Sequence, residues 1–136
     1  MEEKIILQNV RLKVTPARLA VLELLRKSRE PLDVTTIIEH FHRQKIKVDP
    51  ATVFRIMNLF TEKEITKPIQ FHEGKFRYEL ASKEDHHHLI CESCGEIDDV
   101  SDMVIPAMEK RIKKKNNFLV KRHTLEFFGL CQNCQK

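Results

Sequence analysis

The sequence predicts an α+β chain in two parts: a helical segment closed by a two-stranded ribbon, then a smaller mixed unit stapled by metal. Three observations predict it. Apolar residues recur at helical spacing up to about residue 62, they alternate from Thr66 onward, and the unit Cys-x-x-Cys occurs twice, at Cys91 and Cys94 and again at Cys131 and Cys134. The change of character places a boundary near residue 82, giving parts 1–82 and 83–136.

A leading amphipathic segment at 2–11 is expected as the first helix. Thr15 followed by Pro16 is an N-cap and first-turn pair, and Ala17, Ala20, Val21, Leu24 and Leu25 then fall at i, i+3, i+4, i+7 and i+8. Asp33 can cap the next helix, whose stripe is Val34, Ile37, Ile38 and Phe41. Asp49 and Pro50 open another, with Val53, Ile56, Met57 and Phe60 as its buried face. The ribbon is read from "KPIQFH", a turn at Glu73 and Gly74, and "KFRYEL", in which Phe76, Tyr78 and Leu80 alternate. Helices followed by such a ribbon are ordered as in a winged helix-turn-helix. The second part reads as a strand, a cysteine turn, a strand at "EIDDV", a helix over roughly 103–116 and a long strand at 118–128.

Charge sharpens this division. The formal net charge of +4 lies in the first part, where residues 1–82 hold 15 Lys and Arg against 11 Asp and Glu, leaving 9 of each for residues 83–136. Alone, so small an excess describes a solvated basic surface. The helix opened by Asp49 adds to it. With its stripe buried, the helix exposes Ala51, Arg55, Asn58 and Glu62, with Phe54 at the edge and Thr52 beside Ala51 in the first turn. Arg and Asn suit bidentate contacts with guanine and adenine, a ring can meet a thymine methyl, and a small Ala51 allows close approach to a groove. Arg18, Lys75 and Arg77 are the candidates for phosphates, with Lys13 and Lys67 behind them.

No apolar run approaches a membrane span, and "MEEKIILQN" lacks a signal-peptide pattern, so a cytoplasmic location is expected. In a reducing compartment, paired cysteines at short spacing hold metal in preference to forming disulfides. Cys91, Cys94, Cys131 and Cys134 supply four thiolates, a closed tetrahedral shell that prefers zinc. A redox pair would not explain why the unit occurs twice. The adjacent triplet His86, His87 and His88 needs a separate account. On a strand, His86 and His88 share one face and His87 takes the other, and His72, Glu79, Asp85, Asp98, Asp99 and His123 supply further donors. A zinc deaminase would need His-x-Glu ahead of Pro-Cys-x-x-Cys, whereas here the triplet is all histidine and Ile90 precedes the first cysteine.

The segments "VTPARLAVLELL", "VDPATVFRIMNLF", "GKFRYELA", "HHHLICESCGEI" and "RHTLEFFGLCQNC" resemble, in order and spacing, the ferric uptake regulator (Fur) superfamily of metal-dependent bacterial repressors over essentially the whole chain. The resemblance implies a winged-helix DNA-binding domain with wing and hinge over 1–82, and an α/β dimerisation domain with structural zinc over 83–136. It implies a non-enzymatic, homodimeric repressor of inverted-repeat operators in double-stranded DNA, with neither a membrane nor a small organic substrate as partner. Matched position by position, Glu79, His86, His88 and Asp99 correspond to a regulatory hinge site for Fe(II) or Zn(II), with Mn(II) a further option. Asp85, His87 and His123 correspond to a second site. Pro31 stands where many relatives place a histidine ligand, which makes His72 the candidate replacement. Pro106 stands where relatives place a glutamate of the second site, which needs Glu109 in its place. Phe54 replaces the usual tyrosine. Two alternatives stay open: a peroxide sensor, suggested by aspartate at Asp99, and a constitutive DNA-binding protein with structural zinc only.

Overall fold

The computed structural model describes residues 2–71, 73–82, 87–100, 105–121, 123 and 125–135. They divide into two compact units, Met1–Lys83 and Glu84–Lys136. No helix among the described residues is long and apolar enough to cross a membrane.

The first unit contains α1 (Glu2–Asn9), α2 (Pro16–Lys27), the two-residue strand β1 (Leu32–Asp33), α3 (Val34–Arg43), α4 (Pro50–Glu62), β2 (Thr66–Ile69) and β3 (Arg77–Leu80). Side chains fix the helix starts. Thr15 accepts the Arg18 N–H at 3.2 Å, Asp33 accepts that of Thr36 at 3.3 Å, and Asp49 accepts that of Thr52 at 2.8 Å, each satisfying an amide the helix cannot pair. The helix ends use no glycine. Arg11, Lys45 and Glu64 take the left-handed conformation after α1, α3 and α4, and the next N–H of each reaches back to Leu7, Phe41 and Phe60 respectively.

One core gathers the apolar faces of this unit. Val21, Leu22 and Leu25 of α2, Ile37 and Phe41 of α3, and Val53, Ile56, Met57 and Phe60 of α4 are all buried, together with Leu7 of α1. The strands β1, β3 and β2 form an antiparallel sheet in that order, with Thr66 opposite Leu80 and Lys67 opposite Glu79. β1 was not read from the sequence, because two residues carry no alternation.

In the second unit the elements are β4 (His87–Cys91), β5 (Ile97–Val100), α5 (Ile105–Asn116) and β6 (Glu126–Gly129), followed by a 3-10 turn at Gln132–Gln135. β4 is central, antiparallel to β5 and parallel to β6, so α5 lies in the crossover between the outer strands. The strand expected over 118–128 is shorter. Residues 117–121 are irregular, and Phe118 and Leu119 are exposed. Among the described residues of this unit, only Cys91 and Ile105 are buried apolar side chains. So thin a core requires a staple.

Candidate metal centre and nucleic-acid interface

The parallel pairing of β4 and β6 brings the two cysteine units together. Cys91 lies opposite Gly129, and the Glu92 N–H donates to the Gly129 carbonyl at 2.8 Å, so the chain leaves β6 beside the turn that carries Cys94. Gly95, at φ 80°, closes that turn with its N–H on the Cys91 carbonyl. The four sulfurs of Cys91, Cys94, Cys131 and Cys134 lie within 4.8 Å of one another, and Cys94 Sγ is 3.8 Å from Cys131 Sγ. A tetrahedral zinc with bonds of about 2.3 Å sets its sulfurs about 3.8 Å apart, so the spacing fits the ion.

Electrostatics agree with the spacing. The Cys94 and Cys131 N–H groups donate to Cys91 Sγ at 3.5 and 3.4 Å and bring its thiol down to about 6. The Glu96 N–H favours a Cys94 thiolate, yet the Cys91 sulfur, burial and the Cys131 sulfur together outweigh it and that thiol is raised. Cys134, against Cys131, is pushed up to about 12. One thiolate forms readily, and four together require a cation among them.

Nitrogen and oxygen donors occupy the body of the same strand. His88 lies opposite Asp99, with Nε2 and Oδ1 3.9 Å apart, and is only 2 % exposed. His87 is buried on the other face. Its Nδ1 is 3.0 Å from the Leu125 carbonyl; because a carbonyl can only accept, Nδ1 is the donor, which in the neutral ring leaves the Nε2 lone pair for a ligand. The His87 and His123 rings lie 5.2 Å apart, and His123 Nδ1 lies 3.0 Å from Glu109 Oε1. Glu109, one helical turn beyond Pro106, thus joins the histidines. In the first unit, Glu79 is buried on β3 with Lys67 Nζ 3.4 Å from its carboxylate. The candidates His72, Asp85 and His86 lie outside the described residues. Among the described residues, the cysteines are the one set of three or more donors already gathered tightly enough to hold an ion.

Ala51, Phe54, Arg55 and Asn58 form the exposed side of α4, with Phe54 52 % exposed and Thr52 half-buried beside them. Thr52 Oγ1 accepts from Arg55 Nη2 at 3.1 Å, which steers the guanidinium along the helix. Arg18 donates to the Lys13 carbonyl at the start of α2. The wing cations expected to serve phosphates also make contacts within the unit. Lys75 pairs with Asp33 at 3.0 Å, while Arg77 makes two 2.9 Å bonds to Glu73, donates to the Pro31 carbonyl and lies over the Phe71 ring. Burial opposes the Asp33 charge, but the Thr36 N–H and Lys75 hold its carboxyl below the usual range. Lys67, the weaker phosphate candidate, faces Glu79. Sequence offered no signal for these pairs.

A model of the Ferric uptake regulator family matches residues 9–128. The chain is 33 % identical over 137 residues to the ferric uptake regulation protein of Bordetella parapertussis, covering 100 % of this chain and 99 % of that one. Its fold superposes on the Vibrio cholerae ferric uptake regulator with a TM-score of 0.82 at 31 % identity, covering 96 % of this chain and 100 % of the other. The Helicobacter pylori ferric uptake regulator, described as having three functional metal binding sites, gives 0.81 at 26 % identity, covering 98 % and 89 %.

Proposed function

The chain belongs to the ferric uptake regulator family, and from that premise we propose that it is a homodimeric, cytoplasmic transcriptional repressor whose grip on DNA depends on a regulatory divalent metal, iron or zinc. Residues 1–82 read DNA, and residues 83–136 dimerise and hold metal. One observation carries this reading: strand β4 presents both kinds of donor, with His87 6 %, His88 2 % and Cys91 5 % exposed. Imidazoles so enclosed, beside carboxylates, suit an ion that comes and goes, whereas four thiolates suit one that stays.

Three ligand sets follow, the number described for the Helicobacter pylori relative. Cys91, Cys94, Cys131 and Cys134 hold structural zinc. His86, His88 and Asp99, with Glu79 and His72 from the first domain, form the regulatory site. His87, His123 and Asp85, completed by Glu109, form the second. A regulatory ion would supply charge and geometry only, drawing carboxylate and imidazoles to common distances. Glu79 transmits that constraint: it lies near the end of β3, where the Ala81 N–H holds the Ile65 carbonyl at 2.9 Å, just beyond α4. Fixing Glu79 therefore fixes the recognition helix. Two such helices, held about one helical turn or roughly 34 Å apart, match an inverted repeat. The switch needs the metal to favour the DNA-competent state by roughly 1–3 kcal/mol.

Fluorescence anisotropy with a self-derived operator tests the reading. The parent binds DNA more tightly with added Fe(II) or Zn(II), while the His86→Ala/His88→Ala double variant loses that response and keeps one tightly held zinc. A parent indifferent to metal would instead be the constitutive protein with structural zinc alone.

A further inference from the structure

Glu79 already has a cation. It is 2 % exposed on β3, and Lys67 stands directly opposite on β2, its Nζ 3.4 Å from Glu79 Oε1. A carboxylate so enclosed is held ionised only where positive charge or hydrogen bonds replace the water it has lost. The Lys67 side chain is 38 % exposed, so its four-carbon stem can swing the ammonium into solvent without disturbing the strand. The register makes the two side chains neighbours, because opposed residues of an antiparallel pair share one face.

We propose that Lys67 is the resident counter-cation of Glu79: it pairs the sensing carboxylate until a divalent ion takes its place, and so sets the metal concentration at which the regulatory site fills. This rests on the reading of Glu79 as a ligand. Ammonium and metal then compete for one carboxylate. Before Glu79 can be a ligand Lys67 must withdraw its ammonium into solvent, where water and salt screen its charge. Lysine suits the role because it is a mobile point charge, whereas a guanidinium would hold the carboxylate bidentately.

The test is a double-mutant cycle read by direct metal binding. The full-length protein carries His123→Ala throughout, so that the second cluster does not compete, and its cysteines are first loaded with one zinc per chain. The affinity of the next Zn(II) is measured by competition with a chromophoric chelator. Lys67→Met should tighten it by about tenfold, within the range of coupling between interacting sites. Lys67→Arg should leave it at or below the parent value, and Lys67→Met should have no effect in a Glu79→Gln background. Circular dichroism and retained cysteine zinc verify that each variant is folded. Lys67→Met that leaves the affinity within twofold or weakens it overturns the proposal, as does the same tightening in the Glu79→Gln background. If Glu79→Gln itself leaves zinc affinity unchanged, or the parent takes no second zinc, the ligand reading of Glu79 fails first and this inference with it.

Discussion

At the residue scale, the four cysteines divide the work of holding one ion. Cys91, ending a strand and receiving two backbone N–H groups, ionises first, whereas Cys134 keeps its proton until a cation draws it off. A thiol lowered to about 6 favours the assembled site above the ordinary thiol range, and that contribution is lost as pH falls through about 6. Zinc should be retained at neutral pH and released on strong acidification, when protons compete for all four thiolates, measured by metal content after gel filtration. Cys131→Ser removes a sulfur that contacts Cys94 and lies against Cys134. The expected outcome is loss of the bound zinc and of ordered structure in the second unit, seen as zinc content near zero and a vanished thermal transition. Structural zinc is worth about 10–16 kcal/mol in small zinc-stapled peptides, far beyond what two buried apolar side chains supply.

At the scale of elements, charge pairs decide how the helices and wing are joined. Arg26 of α2 binds Glu3 of α1 at 2.6 Å, with the Glu3 side chain only 10 % exposed, and this hydrogen bond holds the Glu3 carboxyl below its usual range. Arg26→Met should weaken the first unit modestly, seen as a lower urea midpoint, because solvent screens a partly exposed pair. Because the folded carboxyl is depressed, the gain is present above the ordinary carboxylate range and disappears as pH falls through the lowered value. Urea denaturation should separate parent from variant at pH 7 and bring them together in strong acid. Helix starts were legible because Thr15, Asp33 and Asp49 cap locally. Helix ends were less so: no glycine precedes Gly74, and Arg11, Lys45 and Glu64 carry the left-handed turns that glycine usually marks.

At the scale of the whole molecule, exposed apolar side chains on the second unit bear on assembly. Leu89 and Phe127, paired across β4 and β6 on one face of the sheet, are 39 % and 46 % exposed. Such a patch beside so thin a core suits burial against a second copy. Phe127→Asp should shift the proposed dimer toward monomer in sedimentation at micromolar concentration and weaken operator binding by about tenfold or more, since each half-site would then be held alone.

The sequence by itself determined the order of the helices and of the strands other than β1, the buried stripe of α4, and the donor types, because capping, periodicity and Cys-x-x-Cys spacing are written in neighbouring residues. Tertiary structure alone decided which charged groups meet. Lys75 was assigned to Asp33, Arg77 to the Pro31 carbonyl and Lys67 to Glu79, and Glu109, which the resemblance had named for the second site, was set against His123. Those partners are separated by 12 or more residues along the chain, and only strand register and packing choose among the carboxylates within reach of a long, flexible cation or an imidazole.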